Sequence, residues 1–250
     1  MLKQKYRAYG RCYVDGEGRE YPSVTSILNV LAKPFLTPWQ LKMMEGEIKS
    51  QLICSIEGTC ELNIEKIIKN AKKAADNYRD EKGAIGTKIH HIIEKRFNNQ
   101  DISEERKADH KISAIMFQIE KWIKENELSP LLVEAYLVSK KHGYAGACDL
   151  VAKQNTKRHG EQIILVDFKT GSTLTEESQW QLAAYAACYN ETYGKIPDIS
   201  FLLHIDVEHQ TIAEEFHLHN YDVPEKFGEF LDIFSAFKAK WKRELEKNKQ

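Results

Sequence analysis

The run ILVDFKTG, residues 164–171, decides how this chain is read. Asp167 and Lys169 lie two apart at the end of an apolar segment that begins at Ile163. Strand side chains repeat with period two, so both point to one face. A second strand-like run, AGACDLV (145–151), carries Asp149, and the polar stretch KQNTKRHGEQ (153–162) between the two runs reads as a turn. A hairpin folded about residue 158 sets Asp149 opposite Asp167. Two carboxylates facing each other across a sheet repel unless a cation lies between them. The pattern therefore outlines a divalent metal site with a lysine beside it. The plain alternative is an exposed carboxylate pair with Lys169 as its salt-bridge partner.

Working outward, LLVEAYLVS (131–139), YAGACDLVA (144–152) and QIILVDFK (162–169) predict three strands, the first two joined by Lys141-His142-Gly143. Residues 175–193 predict a helix with Thr175 as its cap and Gly194 as its stop. ISFLLHIDV (199–207) and TIAEEFHLH (211–219) read as two more strands, turned at Glu208-His209-Gln210, and 222–247 as one long amphipathic helix. Upstream, 6–22 reads as a short strand or hairpin. SVTSILNVLA (23–32) reads as a helix capped by Ser23 and ended by Pro34; Thr37 caps the next, with Pro38 at its first position. Helical periodicity covers 61–80, 84–97 and 103–126. Helices, three strands, a helix, two strands and a helix fit one sheet flanked by helices.

Bulk properties set outer bounds. With 250 residues, 42% of them hydrophobic, the chain can build one large domain, or a core with an added lobe. Thirty-six basic against 37 acidic residues give a net charge of −1, which provides no global attraction to nucleic acid. No run of 18 apolar residues predicts a membrane span, and the basic stretch MLKQKYRAYGRCYV has no apolar signal region. The five cysteines, Cys12, Cys54, Cys60, Cys148 and Cys188, are odd in number and without CxxC spacing. They read as reduced thiols of a cytosolic protein.

Three other clusters carry possible chemistry. In GTKIHHIIEKRF (86–97), His90 and Glu94 are four apart and share a helix face, while Ile89, Ile92 and Ile93 form a buried stripe. Imidazole suits Mn²⁺ and other transition metals better than Mg²⁺. A plain surface pair is the alternative, and His91, rotated roughly 100° from His90, reads as structural. Glu134 is an acid in an apolar strand, which is costly unless it is exposed or paired. It either lies on an open edge or faces the cleft of Asp149. In QWQLAAYAACY (179–189), Gln181 and Tyr185 share one stripe and the alanines allow close packing on a sheet. Thr170, Ser172, Thr173 and Thr175 offer hydroxyls and backbone N–H groups to a phosphate at a helix start, or serve as caps.

Taken in order, GTKIH…E, the acidic strand residue, GYAGACD, VDFKTG and QLAAY resemble the PD-(D/E)XK nuclease superfamily across residues 86–185. Within it, the chain looks like the RecB-like exonucleases and the mitochondrial genome maintenance exonuclease. YPSVTSIL…FLTPWQ (21–40) looks loosely like the entry helices of those members. The resemblance implies an α/β restriction-endonuclease-like core, with a central mixed sheet flanked by helices and an N-terminal helical lobe. It divides a single nuclease domain, 1–250, into a mostly helical lobe (1–83), the core (84–220) and a C-terminal helix (221–250).

It also implies roles. His90, Asp149 and Asp167 would hold Mg²⁺ or Mn²⁺ with the Phe168 carbonyl, and Lys169 would handle the attacking water. Glu94 and Glu134 would support them. Gln181 and Tyr185 would match the Q-x-x-x-Y element, and Thr170 and Ser172 would support or touch the nucleic acid. The superfamily's proline is absent, since Cys148 precedes Asp149. Some relatives carry an iron–sulfur cluster with three cysteines after the last motif; here only Cys188 follows, so none is expected. Trp39, Lys42 and Arg96 of a helical lobe (24–126) arching over the site would be candidates for contacts to a threaded strand, although a core position is the better reading of Trp39.

The implied function is a metal-dependent DNA exonuclease. It would act on single strands or strand ends in recombination, repair or replication, in the cytoplasm of a bacterium or phage-infected cell. The alternatives are a structure-specific endonuclease of the same fold and an inactive nucleic-acid-binding or scaffold member.

Overall fold

A computed structural model describes residues 2–31, 33, 36–59, 62–156, 158–171 and 173–247. In chain order the elements are β1 (Lys3–Arg7), β2 (Gly10–Val14), β3 (Glu20–Pro22), α1 (Val24–Leu28), α2 (Leu36–Ile56), α3 (Ile64–Phe97), α4 (Ser103–Ala108), α5 (His110–Glu125), β4 (Leu128–Ser139), β5 (Tyr144–Thr156), β6 (Gly160–Lys169), α6 (Glu176–Tyr193), β7 (Ile199–Asp206), β8 (Thr211–His219), α7 (Val223–Lys240) and α8 (Lys242–Lys247). The chain separates into two compact units: Met1–Leu31 with Ile89–Gln250, and Ala32–Lys88.

The larger unit is built on a five-stranded sheet of order β4-β5-β6-β7-β8, with α5 and α6 packed on its strands and α7 packed on α6 and α1. This is the mixed α/β sheet expected of a restriction-endonuclease-like core. The β4–β5, β5–β6 and β7–β8 pairs are antiparallel and β6–β7 is parallel. A parallel pair needs a crossover, and α6 supplies it. Ala183, Ala184 and Ala186 are fully buried, and their small side chains allow α6 to pack closely. The Tyr144 hydroxyl at the head of β5 donates to the Ala184 carbonyl at 3.0 Å, tying this strand to α6. Phe230, Phe234 and Phe237 of α7 complete the core.

Several elements differ from the sequence reading. Residues 3–22 form a three-stranded sheet, β1-β2-β3, rather than a single hairpin, and Ser23 bridges it to Ala145 of β5. Ser23 does cap α1, accepting from the Ser26 N–H. The helix nevertheless ends at Leu28, where Val30 and Leu31 switch to tighter bonds three residues back. Pro34 lies outside the described residues. Thr37 and Pro38 sit inside the first turn of α2, where a proline costs no hydrogen bond. The patterns at 61–80 and 84–97 belong to one 34-residue helix, α3, which absorbs Gly83 and Gly86. The C-terminal helix is interrupted at Trp241, whose ring packs edge-on to Tyr9 at 6.2 Å.

Cys12, Cys148 and Cys188 are free, buried thiols. Cys54 is disulfide-bonded, which corrects the expectation of five reduced cysteines; Cys60 lies outside the described residues. No helix among the described residues is long and apolar enough to cross a membrane.

Candidate active site

Register brings the acids together. Leu150 pairs with Val166, so one further step sets Asp149 opposite Asp167, in the hairpin predicted about residue 158. On the other side of β5, the pairs Val133↔Leu150 and Ala135↔Cys148 bracket Glu134 opposite Asp149. Three carboxylates thus stand in a row across β4, β5 and β6. Such a row is self-repelling, and the backbone yields there. Glu134 has φ +48, a left-handed conformation that costs a non-glycine residue about 1–3 kcal/mol and concentrates at functional sites. At Asp149 the carboxylate itself bonds to the neighbouring strand: the Phe168 N–H donates to Asp149 Oδ2 at 2.6 Å.

His90 enters from α3, whose apolar stripe Ile89, Ile92 and Ile93 is buried as its spacing predicts. Its Nδ1 lies 3.0 Å from Asp149 Oδ1. Ligand atoms of His90, Glu134 and Asp149 all lie within 4.8 Å of one another. Asp167 stands outside this trio. It is 3% exposed and holds Lys169 Nζ at 2.6 Å through Oδ2. Lys169 Nζ also donates to Gln181 Oε1 at 3.0 Å, and Gln181 Nε2 donates to the Tyr185 hydroxyl at 2.8 Å. The Gln181 side chain is therefore a bridge: one end orients the lysine and the other is fixed by a buried tyrosine.

The electrostatics follow from burial and crowding. Burial alone would lower the His90 pKa, but Asp149, with Asp167 behind it, outweighs burial and raises it to about 8. Burial raises Glu134 to about 7, and the Asp149 charge adds to the shift. Burial raises Asp167 too; Lys169 opposes the shift and Asp149 reinforces it. Protons on the trio relieve a repulsion that a cation would relieve better. Two carboxylates and an imidazole suit Mn²⁺ or Mg²⁺, so these residues fit a divalent ion.

The remaining predicted residues fall around this centre. Glu94 faces His91 at 3.4 Å and contributes to the potential at Glu134. An N–H and C=O of one strand residue point the same way, so the Phe168 carbonyl also faces β5. Thr170 leaves β6 half-buried, and Ser172 lies outside the described residues. The Thr175 hydroxyl meets Ser178 Oγ at 3.2 Å at the start of α6. Arg96 is engaged by Glu120 at 2.6 Å, and Trp39 packs edge-on to Tyr78 at 5.9 Å.

Two residues of this centre have no role in the sequence reading. Gly146 is one: a Cβ there would fall inside the Tyr185 ring, so glycine is what lets Tyr185 lie against β5. The glycine is visible in GYAGACD, but its partner is 39 residues away in sequence, and no local signal couples them. His204 is the other, a buried β7 residue paired with Lys169; its Nε2 contacts the Gly171 carbonyl at 2.5 Å and anchors the chain leaving β6.

Carboxylates from β4, β5 and β6, an imidazole from α3 and a lysine held by Asp167 and by Gln181 of α6 thus lie close together. A profile of the PD-(D/E)XK nuclease superfamily matches residues 64–248. The chain belongs to that superfamily. No curated protein sequence matches it. Among solved structures, it is similar to an alkaline exonuclease (LHK-Exo) from Laribacter hongkongensis. The similarity has 16% identity and a TM-score of 0.37, and it covers 66% of this chain and 82% of that one. The same exonuclease in complex with dAMP aligns at 14% identity and a TM-score of 0.38, over 64% and 81% of the two chains.

Proposed function

We propose that this protein is a metal-dependent DNA exonuclease that hydrolyses phosphodiester bonds of single strands or strand ends. The observation that carries the reading is the convergence of His90, Glu134 and Asp149 within 4.8 Å, beside a lysine fixed by Asp167 and Gln181. His90, Asp149 and Asp167 would hold the ion with the Phe168 carbonyl, and Glu134 joins or supports them from the trio. When bound, Mg²⁺ or Mn²⁺ supplies Lewis-acid polarisation of the phosphate and a more acidic water.

The chain's own residues supply the rest. Lys169 offers its ammonium to the attacking water or to the charge developing on the phosphate. Asp167 and Gln181 fix Nζ from two directions, which lowers the ordering cost at the moment of reaction. Tyr185 and Gly146 set Gln181, and Phe168 N–H with His90 orients the Asp149 carboxylate. Glu94 tunes the charge around Glu134.

Product analysis with the full chain tests the reading. A linear, end-labelled single strand and a circular one are each incubated with Mn²⁺ or Mg²⁺. Short fragments from the linear strand and an intact circle are expected. Nicked circles would replace the exonuclease with an endonuclease of the same fold. No cleavage of either would favour an inactive nucleic-acid-binding member.

A further inference from the structure

Tyr136 lies on β4 two residues beyond Glu134, paired with Ala147, which is two residues from Asp149. Cross-strand partners share a face, so Tyr136, Ala147 and Asp149 lie on the same side of the sheet. The Tyr136 ring is 56% exposed. It is nonetheless built in place. Tyr13 of β2, 1% exposed, meets it edge-on with ring centroids 5.7 Å apart, and the Arg11 guanidinium lies 5.8 Å from the Tyr13 ring centre. Tyr13 is close enough to the site to feel the charge of Glu134 as well as the Tyr136 hydroxyl. An exposed aromatic ring is thus held in a fixed place by a buried one, within two strand positions of Glu134.

We infer that Tyr136 is a stacking platform for the base of the nucleotide next to the scissile phosphate, and thereby a determinant of preference for unpaired strands. The inference rests on the nuclease reading above and names a substrate contact for it. Two strand residues separate Tyr136 from Glu134 by about 7 Å, a distance that the sugar-phosphate repeat of one extended nucleotide covers. A base paired in a duplex keeps its faces stacked on its neighbours; an unpaired one can place a face on the ring, whatever its identity. The ring therefore selects strandedness rather than sequence. Arg11, lying over Tyr13, adds positive charge behind the platform for the adjacent backbone.

The test compares wild type, Tyr136→Ala and Tyr136→Trp on a short single-stranded oligonucleotide, by anisotropy in EDTA and by steady-state cleavage with Mn²⁺. Tyr136→Ala is expected to raise both Kd and KM about ten-fold with kcat nearly unchanged, and Tyr136→Trp to match or better wild type. A parallel series places one abasic nucleotide at successive positions. Wild type should lose about the same factor at one position only, and Tyr136→Ala should be insensitive to it. This series needs no variant to fold, because wild type alone reads it. Equal Kd for Tyr136→Ala and wild type, or wild type indifferent to every abasic position, would overturn the inference. Absence of cleavage with a Tyr136-dependent Kd would instead reject the nuclease reading while leaving the platform.

Discussion

The Phe168 N–H donates to Asp149 Oδ2 at 2.6 Å, so a side chain does the work that a strand carbonyl does elsewhere in the β5–β6 ladder. Asp149 is thereby both part of the sheet and part of the site. Its other oxygen faces His90 Nδ1 at 3.0 Å. Removing the carboxylate strips a buried N–H, that of Phe168, and the half-buried His90 ring of their acceptor. Asp149→Ala should therefore cost about 1–3 kcal/mol in urea-induced unfolding. Asp149→Asn, which keeps an acceptor for Phe168 and lessens the crowding with Glu134 and Asp167, should lose much less. Equal destabilisation by both would contradict this account of the bond.

Protons and metal compete at the trio. His90, raised to about 8, stabilises the metal-free fold fully below its unfolded value of 6.5, and that contribution fades as pH rises through 8. Glu134 has the same sign: a carboxyl raised to about 7 binds more protons folded than unfolded, so stability is lost as pH rises from 4.5 through 7. In EDTA, Tm should fall between pH 6 and 8.5, and saturating Mn²⁺ should remove most of the fall. Calorimetry in buffers of different ionisation enthalpy should show release of about one proton per Mn²⁺ near pH 7.5. Binding without proton release would mean that the ion sits elsewhere.

Lys169 touches Asp167 and Gln181 rather than the trio. Lys169→Ala should therefore lower kcat by about 10²–10⁴ and leave the Mn²⁺ Kd within a few-fold. Gln181→Ala should show the same pattern, more weakly. A large loss of metal affinity in Lys169→Ala would assign the lysine a different task.

Gly146 and Tyr185 occupy one space. Gly146→Ala should cost about 1–3 kcal/mol through overpacking and lower kcat, because Tyr185 fixes Gln181 and Gln181 fixes Lys169. Adding Tyr185→Leu to it should recover stability but not kcat. Recovery of both would confine Gly146 to packing.

Much of this was legible in the sequence because it depends on period and register. Alternation places Asp167 and Lys169 on one face, and the polar stretch 153–162 centres the hairpin correctly although β5 and β6 extend into it as far as Thr156 and from Gly160. His90 joins them only through the resemblance, since its helix alone also fits a surface His–Glu pair. Glu134 stayed ambiguous because alternation cannot report a left-handed residue. The bracketing pairs set it opposite Asp149, and its positive φ marks the point where the strand departs from regular alternation. Gly146 against Tyr185, and Tyr13 beneath Tyr136, are contacts between distant elements that no local pattern encodes. Helix ends were displaced for a similar reason: α3 runs through two glycines, and Trp241 breaks the last helix where its ring turns to Tyr9.

The decisive measurement is cleavage of an end-labelled single strand by wild type, Asp149→Asn, Asp167→Ala and Lys169→Ala, each with Mn²⁺ and with EDTA. A metal-dependent mechanism through Asp149, Asp167 and Lys169 predicts cleavage by wild type with Mn²⁺ alone, and losses of at least about a hundred-fold in all three variants, with folding verified by circular dichroism. Cleavage by wild type in EDTA, or undiminished cleavage by folded Asp149→Asn and Lys169→Ala, would contradict it.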